Sequence, residues 1–201
     1  MSLYAIVPVQ RLDLAKSRLA QVLSPVERSA LVLRLLDTVL PALAGSELVT
    51  ATIVVSPDHT ALDHAAATGA IPLMQVGGGL NAAIRQGREV ARDNDAGELL
   101  VVLADLPFLT TAVVDDLLEA SAGAAVTLAP DRHGTGTNAL VLRPLDAIEP
   151  GFGVSSYEAH RAEAAVRQRS LHTFHAQGTA FDVDTPEDLR VLAEQLSAVR
   201  P

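Results

Sequence analysis

The chain has 201 residues, of which 24 are acidic and 15 are basic, and its formal net charge at pH 7 is −9. This acidic balance argues against a nucleic-acid-binding surface, which needs clustered lysine and arginine. The sequence has no cysteine, which excludes disulfides, thiolate metal sites and a cysteine nucleophile. It shows neither a secretory signal nor an apolar run long enough to span a membrane, so we expect a cytoplasmic protein.

Short apolar runs alternate with longer helical patterns along the chain. Strands are predicted over residues 3–9, 52–56, 71–76, 99–104, 124–129, 139–142 and 180–183. Helices are predicted over residues 25–43, 58–68, 80–93, 110–121, 155–168 and 186–199. Ser24 is the expected cap of the first helix, Ser155 or Ser156 of the fifth, and Thr185 or Asp184 of the last.

This alternation is typical of an α/β fold with a doubly wound, mostly parallel sheet. No linker or repeat divides the sequence, so we expect one domain over residues 1–201. In such sheets ligands bind outside the carboxyl ends of the strands. The residues that follow each predicted strand are therefore the candidates for chemistry. The aliphatic surplus is also compatible with a helix face covered in a homodimer.

Three aspartates stand where a cation could bind. Asp105 follows the apolar run LLVVLA, and Asp182 and Asp184 are two residues apart in FDVD. On a strand, residues two apart face the same side, about 7 Å apart along the backbone. Close carboxylates repel unless a cation lies between them, and Mg²⁺ prefers oxygen ligands. A magnesium site is one interpretation. The other is that Asp105 is a turn residue, Asp184 a helix cap and Asp182 merely solvated.

Several segments suit an anionic ligand. The loop at residues 134–138, GTGTN, has small and hydroxyl residues whose free backbone N–H groups could hold an anion. The helix start near Ser156 is a second such element. Lys16, the one lysine of the chain, and Arg18 follow the first strand and suit a triphosphate. Gly79 and Asn81 could lie beside a base. Each segment is also compatible with an ordinary surface loop.

Familiar nucleotide and metal signatures are absent from the sequence. It has neither a G-x-x-x-x-G-K-[ST] loop nor a G-x-G-x-x-G motif after a strand, which disfavours P-loop and dinucleotide-binding proteins. The six histidines show no zinc-ligand spacing. His160 lies one helical turn after Ser156 and can face the same site.

Taken together, these segments resemble the guanylyltransferases of deazaflavin coenzyme (coenzyme F420) biosynthesis, which act on 2-phospho-L-lactate or phosphoenolpyruvate. The resemblance covers nearly the whole chain. It rests on the segments VPV at 7–9 with AKSRL at 15–19, LNAA at 80–83, ADLP at 104–107, GTGTN at 134–138, FG at 152–153 with Ser156 and His160, and DVDTPEDL at 182–189.

The resemblance implies a fold like that of nucleotide-diphospho-sugar transferases, a Rossmann-type α/β sheet, and a reaction between GTP and a small phosphorylated carboxylic acid with Mg²⁺. The residues that it assigns fall into three groups. The metal ligands would be Asp105, Asp182 and Asp184. The acceptor would contact Thr137, Gly153 and Ser156. The nucleotide would lie against Pro8, Lys16, Arg18, Gly79 and Asn81, with Asp105, Lys16 and Arg18 as the catalytic groups.

Two positions depart from the family pattern. The family usually has lysine two residues after the position of Pro8, where this chain has Gln10. We expect this change to remove one triphosphate contact and to leave Lys16 and Arg18 with that task. The usual F-G-P-x-S segment has Val154 in place of the proline. We expect this to make the loop less rigid.

The expected reaction is attack of an acceptor phosphate oxygen on the α-phosphorus of GTP, with release of pyrophosphate. Two alternatives stay open at this point. One is another nucleotidyltransferase on the same fold, such as a cytidylyltransferase or a molybdopterin guanylyltransferase. The other is a non-catalytic nucleotide-binding module, which Gln10 makes plausible. The sequence alone does not separate phosphoenolpyruvate from 2-phospho-L-lactate.

Overall fold

A seven-stranded sheet with helices on both faces makes up the computed structural model, which describes residues 2–198. The strands are β1 (Ser2–Pro8), β2 (Ala51–Ser56), β3 (Ile71–Met74), β4 (Ala96–Val102), β5 (Val126–Pro130), β6 (Thr137–Leu142) and β7 (Leu171–Thr173). The helices are α1 (Pro25–Ala44), α2 (His59–Ala67), α3 (Leu80–Asp93), α4 (Thr111–Ala120), α5 (Ser156–Val166), α6 (Gln177–Ala180) and α7 (Pro186–Ala198). The predicted end of the last helix, residue 199, lies outside the described residues.

The strand order is β3-β2-β1-β4-β6-β5-β7, and β6 runs antiparallel to both of its neighbours while the other pairs are parallel. The prediction of a doubly wound, mostly parallel sheet is confirmed. The chain moves outward from β1 to β3 and then returns to place β4 on the other side of β1. This reversal makes the carboxyl ends of β1 and β4 the expected ligand site. Because β6 is antiparallel, its first residue, Thr137, lies at that same edge.

Local sequence explains the helices that frame this edge. The side chain of Ser24 accepts the N–H of Glu27, and the Glu27 carboxylate accepts the N–H of Ser24, so a capping box starts α1 as predicted. On the other face of the sheet, Gly87 of α3 has little room for a side chain. A Cβ atom there would lie 3.0 Å from Ile6 and 3.1 Å from Val55, so glycine allows α3 to pack closely on β1 and β2.

Two large apolar cores cover the two faces of the sheet. One lies under α1, α2 and α4, and the other lies under α3 and α5. A smaller cluster near the carboxyl edge is formed by Leu19, Leu31, Leu35, Phe181 and Val183. Within residues 2–198 the structure has no helix that combines the length and the apolar character needed to cross a bilayer.

The strand predicted over residues 180–183 is wrong. Ala180 ends the short helix α6, and Phe181 to Asp184 are extended but belong to no strand of the sheet. The alternation that suggested a strand is real, since Phe181 and Val183 are buried while Asp182 and Asp184 are half-buried. It arises because one side of this extended segment packs on the small apolar cluster.

The predicted cap of α5 is also wrong. Ser155, which precedes the helix, has a left-handed backbone (φ 56°) and makes no capping hydrogen bond with its side chain. The Ser156 hydroxyl accepts the N–H of Thr137 instead. The last helix follows one of the two predictions, because the Thr185 hydroxyl accepts the N–H of Asp188 at 3.4 Å.

Candidate active site

Three aspartates meet at the carboxyl edge of the sheet, and we call Asp105, Asp182 and Asp184 the carboxylate cluster. One oxygen from each lies within 4.8 Å of the others. Asp105 follows β4, whereas the other two stand on the extended segment before α7. The backbone N–H of Val183 donates to the Asp105 carbonyl at 3.2 Å, which ties the two segments together. The fold thus brings the three predicted ligands into one group.

Lys16 supplies a positive charge to this cluster. Its Nζ atom lies 2.6 Å from Asp105 Oδ2 and 2.9 Å from Asp184 Oδ1, and its side chain is only 9% exposed. The backbone of Lys16 is left-handed (φ 52°), which turns the chain after β1 back towards the cluster. Arg18 is more peripheral. Its Nη1 atom lies 3.6 Å from Asp184 Oδ2, and its side chain is 74% exposed, so it is free to contact a ligand.

Burial and the neighbouring charges shift the pKa values of Lys16 and Asp182. Burial would lower the pKa of the Lys16 ammonium, but the Asp105 and Asp184 carboxylates outweigh this effect and raise it. Burial also raises the pKa of Asp182, and the negative charges of Asp105 and Asp184 act in the same direction. Lys16 is therefore charged, and an additional cation would favour the ionised form of Asp182.

The cluster fits a divalent metal such as Mg²⁺. Asp105 Oδ1 is buried and has no hydrogen-bond partner among residues 2–198, which is costly for a carboxylate oxygen unless a ligand completes it. Three carboxylates and one lysine leave an excess of negative charge. Hard oxygen ligands of this kind suit Mg²⁺.

Two adjoining cavities open beside the cluster. The first, of about 240 Å³, is lined by Pro8, Lys16, Asp105 and Asp184 among others. The second, of about 360 Å³, extends from the same edge to the glycine loop at residues 77–79. Gln10 lines both cavities. The structure therefore places Pro8 and Lys16 at the mouth nearest the carboxylates and Gly79 at the far end.

A second group of predicted residues surrounds the start of β6. The Thr137 backbone N–H donates to Ser156 Oγ at 2.9 Å, and the Thr137 hydroxyl lies 3.0 Å from Nδ1 of His160. The Ser156 backbone N–H donates to the Gly153 carbonyl at 3.1 Å. The structure thus joins Thr137, Gly153 and Ser156, and we call these three, to which the resemblance assigned the acceptor, the acceptor group.

Asn81 is engaged by protein rather than left free beside the second cavity. Its Nδ2 donates to the Phe152 carbonyl at 2.8 Å, and its Oδ1 accepts the Phe152 N–H at 2.8 Å. Both ends of the amide are therefore used to hold the loop that precedes Gly153. A contact between Asn81 and a base stays a prediction, whereas this support of the loop is what the geometry shows.

The loop at residues 134–138 does not offer the free N–H groups that its composition suggested. The N–H of Gly134 donates to the Asp131 carbonyl, those of Thr135 and Gly136 donate to the Asp131 carboxylate, and that of Thr137 donates to Ser156. The N–H of Tyr157, in the first turn of α5, is likewise bonded to a carbonyl. Any anion held here would rely on side-chain hydroxyls and on the Gly153 backbone.

Two supporting residues were missed from the sequence. Asn138 lies next to Thr137 and donates to Asp182 Oδ1 at 3.3 Å, so it links the acceptor group to the carboxylate cluster. Asp188 is buried and accepts the backbone N–H groups of Asp184 and Thr185, at 2.8 and 2.7 Å, and forms an ion pair with Arg132. The signal for Asp188 was present, because the pattern T-x-x-D before an apolar helix is a capping box.

The fold is shared with solved structures of nucleotide-diphospho-sugar transferases. The structure superposes on a Desulfovibrio desulfuricans G20 protein described as a nucleotide-diphospho-sugar transferase, with a TM-score of 0.80, 18% identity, and coverage of 100% of this chain and 90% of that one. At this identity the likeness shows the fold alone, which is that of the nucleotide-diphospho-sugar transferases, as the resemblance implied.

The sequence defines the family. The model of the family described as "Guanylyl transferase CofC like" matches residues 3–194, and the chain belongs to this family. It is 53% identical to the phosphoenolpyruvate guanylyltransferase of Sphaerobacter thermophilus, over 96% of this chain and 93% of that protein. It is 34% identical to the 2-phospho-L-lactate guanylyltransferase of Methanocaldococcus jannaschii, over 92% of this chain and 79% of that protein. The predicted family is thus confirmed.

Proposed function

We propose that this protein transfers GMP from GTP to the phosphate of phosphoenolpyruvate, with release of pyrophosphate, and that residues 1–201 act as one nucleotidyltransferase domain. The observation that carries the proposal is the convergence of Lys16 and the carboxylate cluster beside two adjoining cavities, at the carboxyl ends of β1 and β4. Family membership supports the choice of a guanylyl donor.

The choice of acceptor rests on the relatives. Identity is 53% to the S. thermophilus enzyme named for phosphoenolpyruvate and 34% to the M. jannaschii enzyme named for 2-phospho-L-lactate. Both acceptors carry a phosphate and a carboxylate, and the hydroxyls of Thr137 and Ser156 with the Gly153 backbone offer polar contacts to such groups. The resemblance to the guanylyltransferases of deazaflavin coenzyme biosynthesis supports entry of the product into that coenzyme.

In the proposed reaction an oxygen of the acceptor phosphate forms a bond to the α-phosphorus of GTP. The bond from that phosphorus to the bridging oxygen breaks, and pyrophosphate leaves with its electron pair. No proton has to move, because the acceptor phosphate is already ionised. The enzyme therefore contributes mainly by aligning the reactants and by balancing charge.

Each group of residues has a part in this alignment. Asp105, Asp182 and Asp184 would hold Mg²⁺, which when bound supplies positive charge to the α-phosphate and to the leaving pyrophosphate. Lys16 holds two of these carboxylates in place and lies close enough to the first cavity to contact phosphate oxygens. Arg18 adds an exposed positive charge beside Asp184. The glycine loop at residues 77–79 would admit the base to the second cavity.

The proposal is tested by measuring pyrophosphate release from GTP and Mg²⁺, with phosphoenolpyruvate and 2-phospho-L-lactate offered separately. CTP and ATP serve as control donors, and a mass spectrum identifies the guanylylated product. Release that requires GTP and phosphoenolpyruvate supports the proposal. Release with CTP, or GTP binding without release, would favour another transferase or a non-catalytic module. The cytoplasmic location and the homodimer stay predictions, and light scattering tests the homodimer.

A further inference from the structure

His160 is a buried ring that the proposed reaction does not use directly. It lies on α5, is 1% exposed, and both of its ring nitrogens are hydrogen-bonded. Nε2 lies 2.9 Å from the backbone nitrogen of Gly151, and Nδ1 lies 3.0 Å from Thr137 Oγ1. A backbone N–H can only donate, so Nε2 must be the unprotonated nitrogen. In a neutral imidazole the proton is then on Nδ1, which donates to the Thr137 hydroxyl.

The environment of the ring favours this neutral form. Burial lowers the pKa of His160 to about 4, so the imidazole is uncharged at neutral pH. The edge of the ring meets the Phe152 side chain, with 5.0 Å between ring centroids and 72° between planes. Its orientation is therefore set by packing as well as by its two hydrogen bonds.

The Nδ1–H tautomer determines how the Thr137 hydroxyl is hydrogen-bonded. Its hydroxyl oxygen accepts from Nδ1–H, so its own proton is directed to another acceptor. Within residues 2–198 the Thr137 hydroxyl makes no second hydrogen bond. An ionised phosphate or carboxylate oxygen would accept that proton, and such charge-assisted bonds are the stronger ones.

On the opposite side of the ring, Nε2 is hydrogen-bonded to the loop at residues 151–153. His160 fixes the N–H of Gly151, and Asn81 fixes both backbone groups of Phe152 at 2.8 Å. Gly153 follows directly, with a backbone φ of 139° that side-chain-bearing residues rarely adopt and with nothing within 4 Å of where a Cβ would stand. The Gly153 backbone is thus exposed and hydrogen-bonded to Ser156, which in turn contacts Thr137.

We propose that His160 is a positioning residue for the acceptor: its Nδ1–H aims the Thr137 hydroxyl and its Nε2 holds the loop of Gly151–Gly153, so that both face the anionic acid. This inference rests on the proposed function, since it assigns the acceptor to Thr137, Gly153 and Ser156. It predicts that changes at His160 affect the acceptor and leave GTP untouched.

Two variants separate the two nitrogens. In His160→Asn the side-chain NH₂ replaces Nδ1–H and keeps the donor to Thr137. In His160→Gln the side-chain oxygen replaces Nε2 and keeps the acceptor for Gly151, while the donor to Thr137 is lost. We expect His160→Gln to raise the acceptor KM by roughly tenfold or more, the usual value of a hydrogen bond to a charged group. We expect His160→Asn to raise it less, and both to leave the GTP KM within about twofold.

A double-variant measurement tests whether His160 acts through Thr137. In a Thr137→Val background, His160→Gln should add little to the acceptor KM, because the hydroxyl that it would misdirect is gone. Full additivity, an unchanged acceptor KM in His160→Gln, or an equal rise in the KM of both substrates would each overturn the inference.

The tautomer itself is measured on the unmodified protein by ¹⁵N NMR of the imidazole nitrogens, with His160→Gln used to assign His160 among six histidines. An Nδ1–H tautomer at neutral pH is the expected result, and an Nε2–H tautomer or a charged ring would overturn the inference even if a variant failed to fold. This readout needs no turnover. Failure of the proposed function would appear as absence of pyrophosphate release from the unmodified protein, whatever the tautomer.

Discussion

Replacing Asp182 with asparagine should stabilise the metal-free protein while it removes the response to Mg²⁺. The pKa of Asp182 is raised, because the side chain is partly buried and faces the charges of Asp105 and Asp184. Asparagine has nearly the same shape and its side-chain oxygen can still accept the hydrogen bond from Asn138. The substitution therefore removes one negative charge and little packing.

The magnitude follows from the spacing of the charges. Lys16 offsets about one of the two neighbouring negative charges. Arg18 lies farther out, 3.6 Å from Asp184, and its 74% exposed side chain is screened by solvent, so Asp182 faces at most about one net negative charge. At the 4.8 Å limit of the cluster, two unit charges in an effective dielectric of 20 repel by about 3 kcal/mol. Solvent screening reduces this repulsion, and we expect a net gain of roughly 2 kcal/mol in the free energy of unfolding. For a chain of this size that corresponds to a rise in Tm of roughly 4–8 °C.

The assay is thermal unfolding of Asp182→Asn and the unmodified protein in EDTA and in a series of Mg²⁺ concentrations. The Tm of the unmodified protein should rise with Mg²⁺, because binding adds about 2.7 kcal/mol to the free energy of unfolding at one hundred times the Kd. The variant should start higher and gain much less. Asp63→Asn serves as the matched control, because Asp63 is an exposed carboxylate on α2 and should change neither quantity.

A lower Tm of Asp182→Asn in EDTA would contradict this prediction, because it would mean that the carboxylate stabilises the metal-free protein. An undiminished Tm rise with Mg²⁺ in the variant would show that Asp182 is not a metal ligand.

Three further changes test other parts of the account. Asp105→Asn should lower kcat by at least about a thousandfold with an unchanged fold by circular dichroism, and near-normal turnover would contradict the metal assignment. Gln10→Lys adds a positive charge to the lining of both cavities, and roughly 1 kcal/mol from that charge should lower the GTP KM about fivefold. An unchanged KM would show that this position does not reach the triphosphate. The His160 pKa, lowered from 6.5 to about 4, means that the folded state disfavours the protonated ring. As pH falls from 6.5 to 4, the unmodified protein should therefore lose up to roughly 3 kcal/mol more in the free energy of unfolding than His160→Asn. Urea unfolding measures this difference, and parallel pH profiles of the two proteins would contradict it.

The strands and helices were largely predictable from periodicity and caps. The predicted helix over residues 80–93 has the bounds that the structure shows, and Ser24 caps α1 as its pattern indicated. The strand over residues 180–183 failed because alternation reports only that one side of an extended segment is buried. Whether such a segment joins a sheet depends on partners far away in the chain, which the local sequence does not contain.

The three aspartates that come together could be found from the sequence, but the hydrogen bonds that connect the neighbouring loops could not. Asp105 could be found because it follows a buried strand, and the other two aspartates because they stand together. The hydrogen bond from the Thr137 N–H to the Ser156 hydroxyl could not be predicted, because it replaces a local helix cap with a contact 19 residues away. The same holds for Asp131, whose carboxylate takes the N–H groups that the glycine-rich loop was expected to offer.

Pyrophosphate release by the unmodified protein with GTP, Mg²⁺ and phosphoenolpyruvate, followed by mass spectrometry of the product, tests the proposed GMP transfer. We expect release that depends on all three components, with a product that joins GMP to phosphoenolpyruvate through a diphosphate, and weaker release with 2-phospho-L-lactate. GTP binding without release of pyrophosphate from GTP, with either acid present, would contradict the proposed transfer.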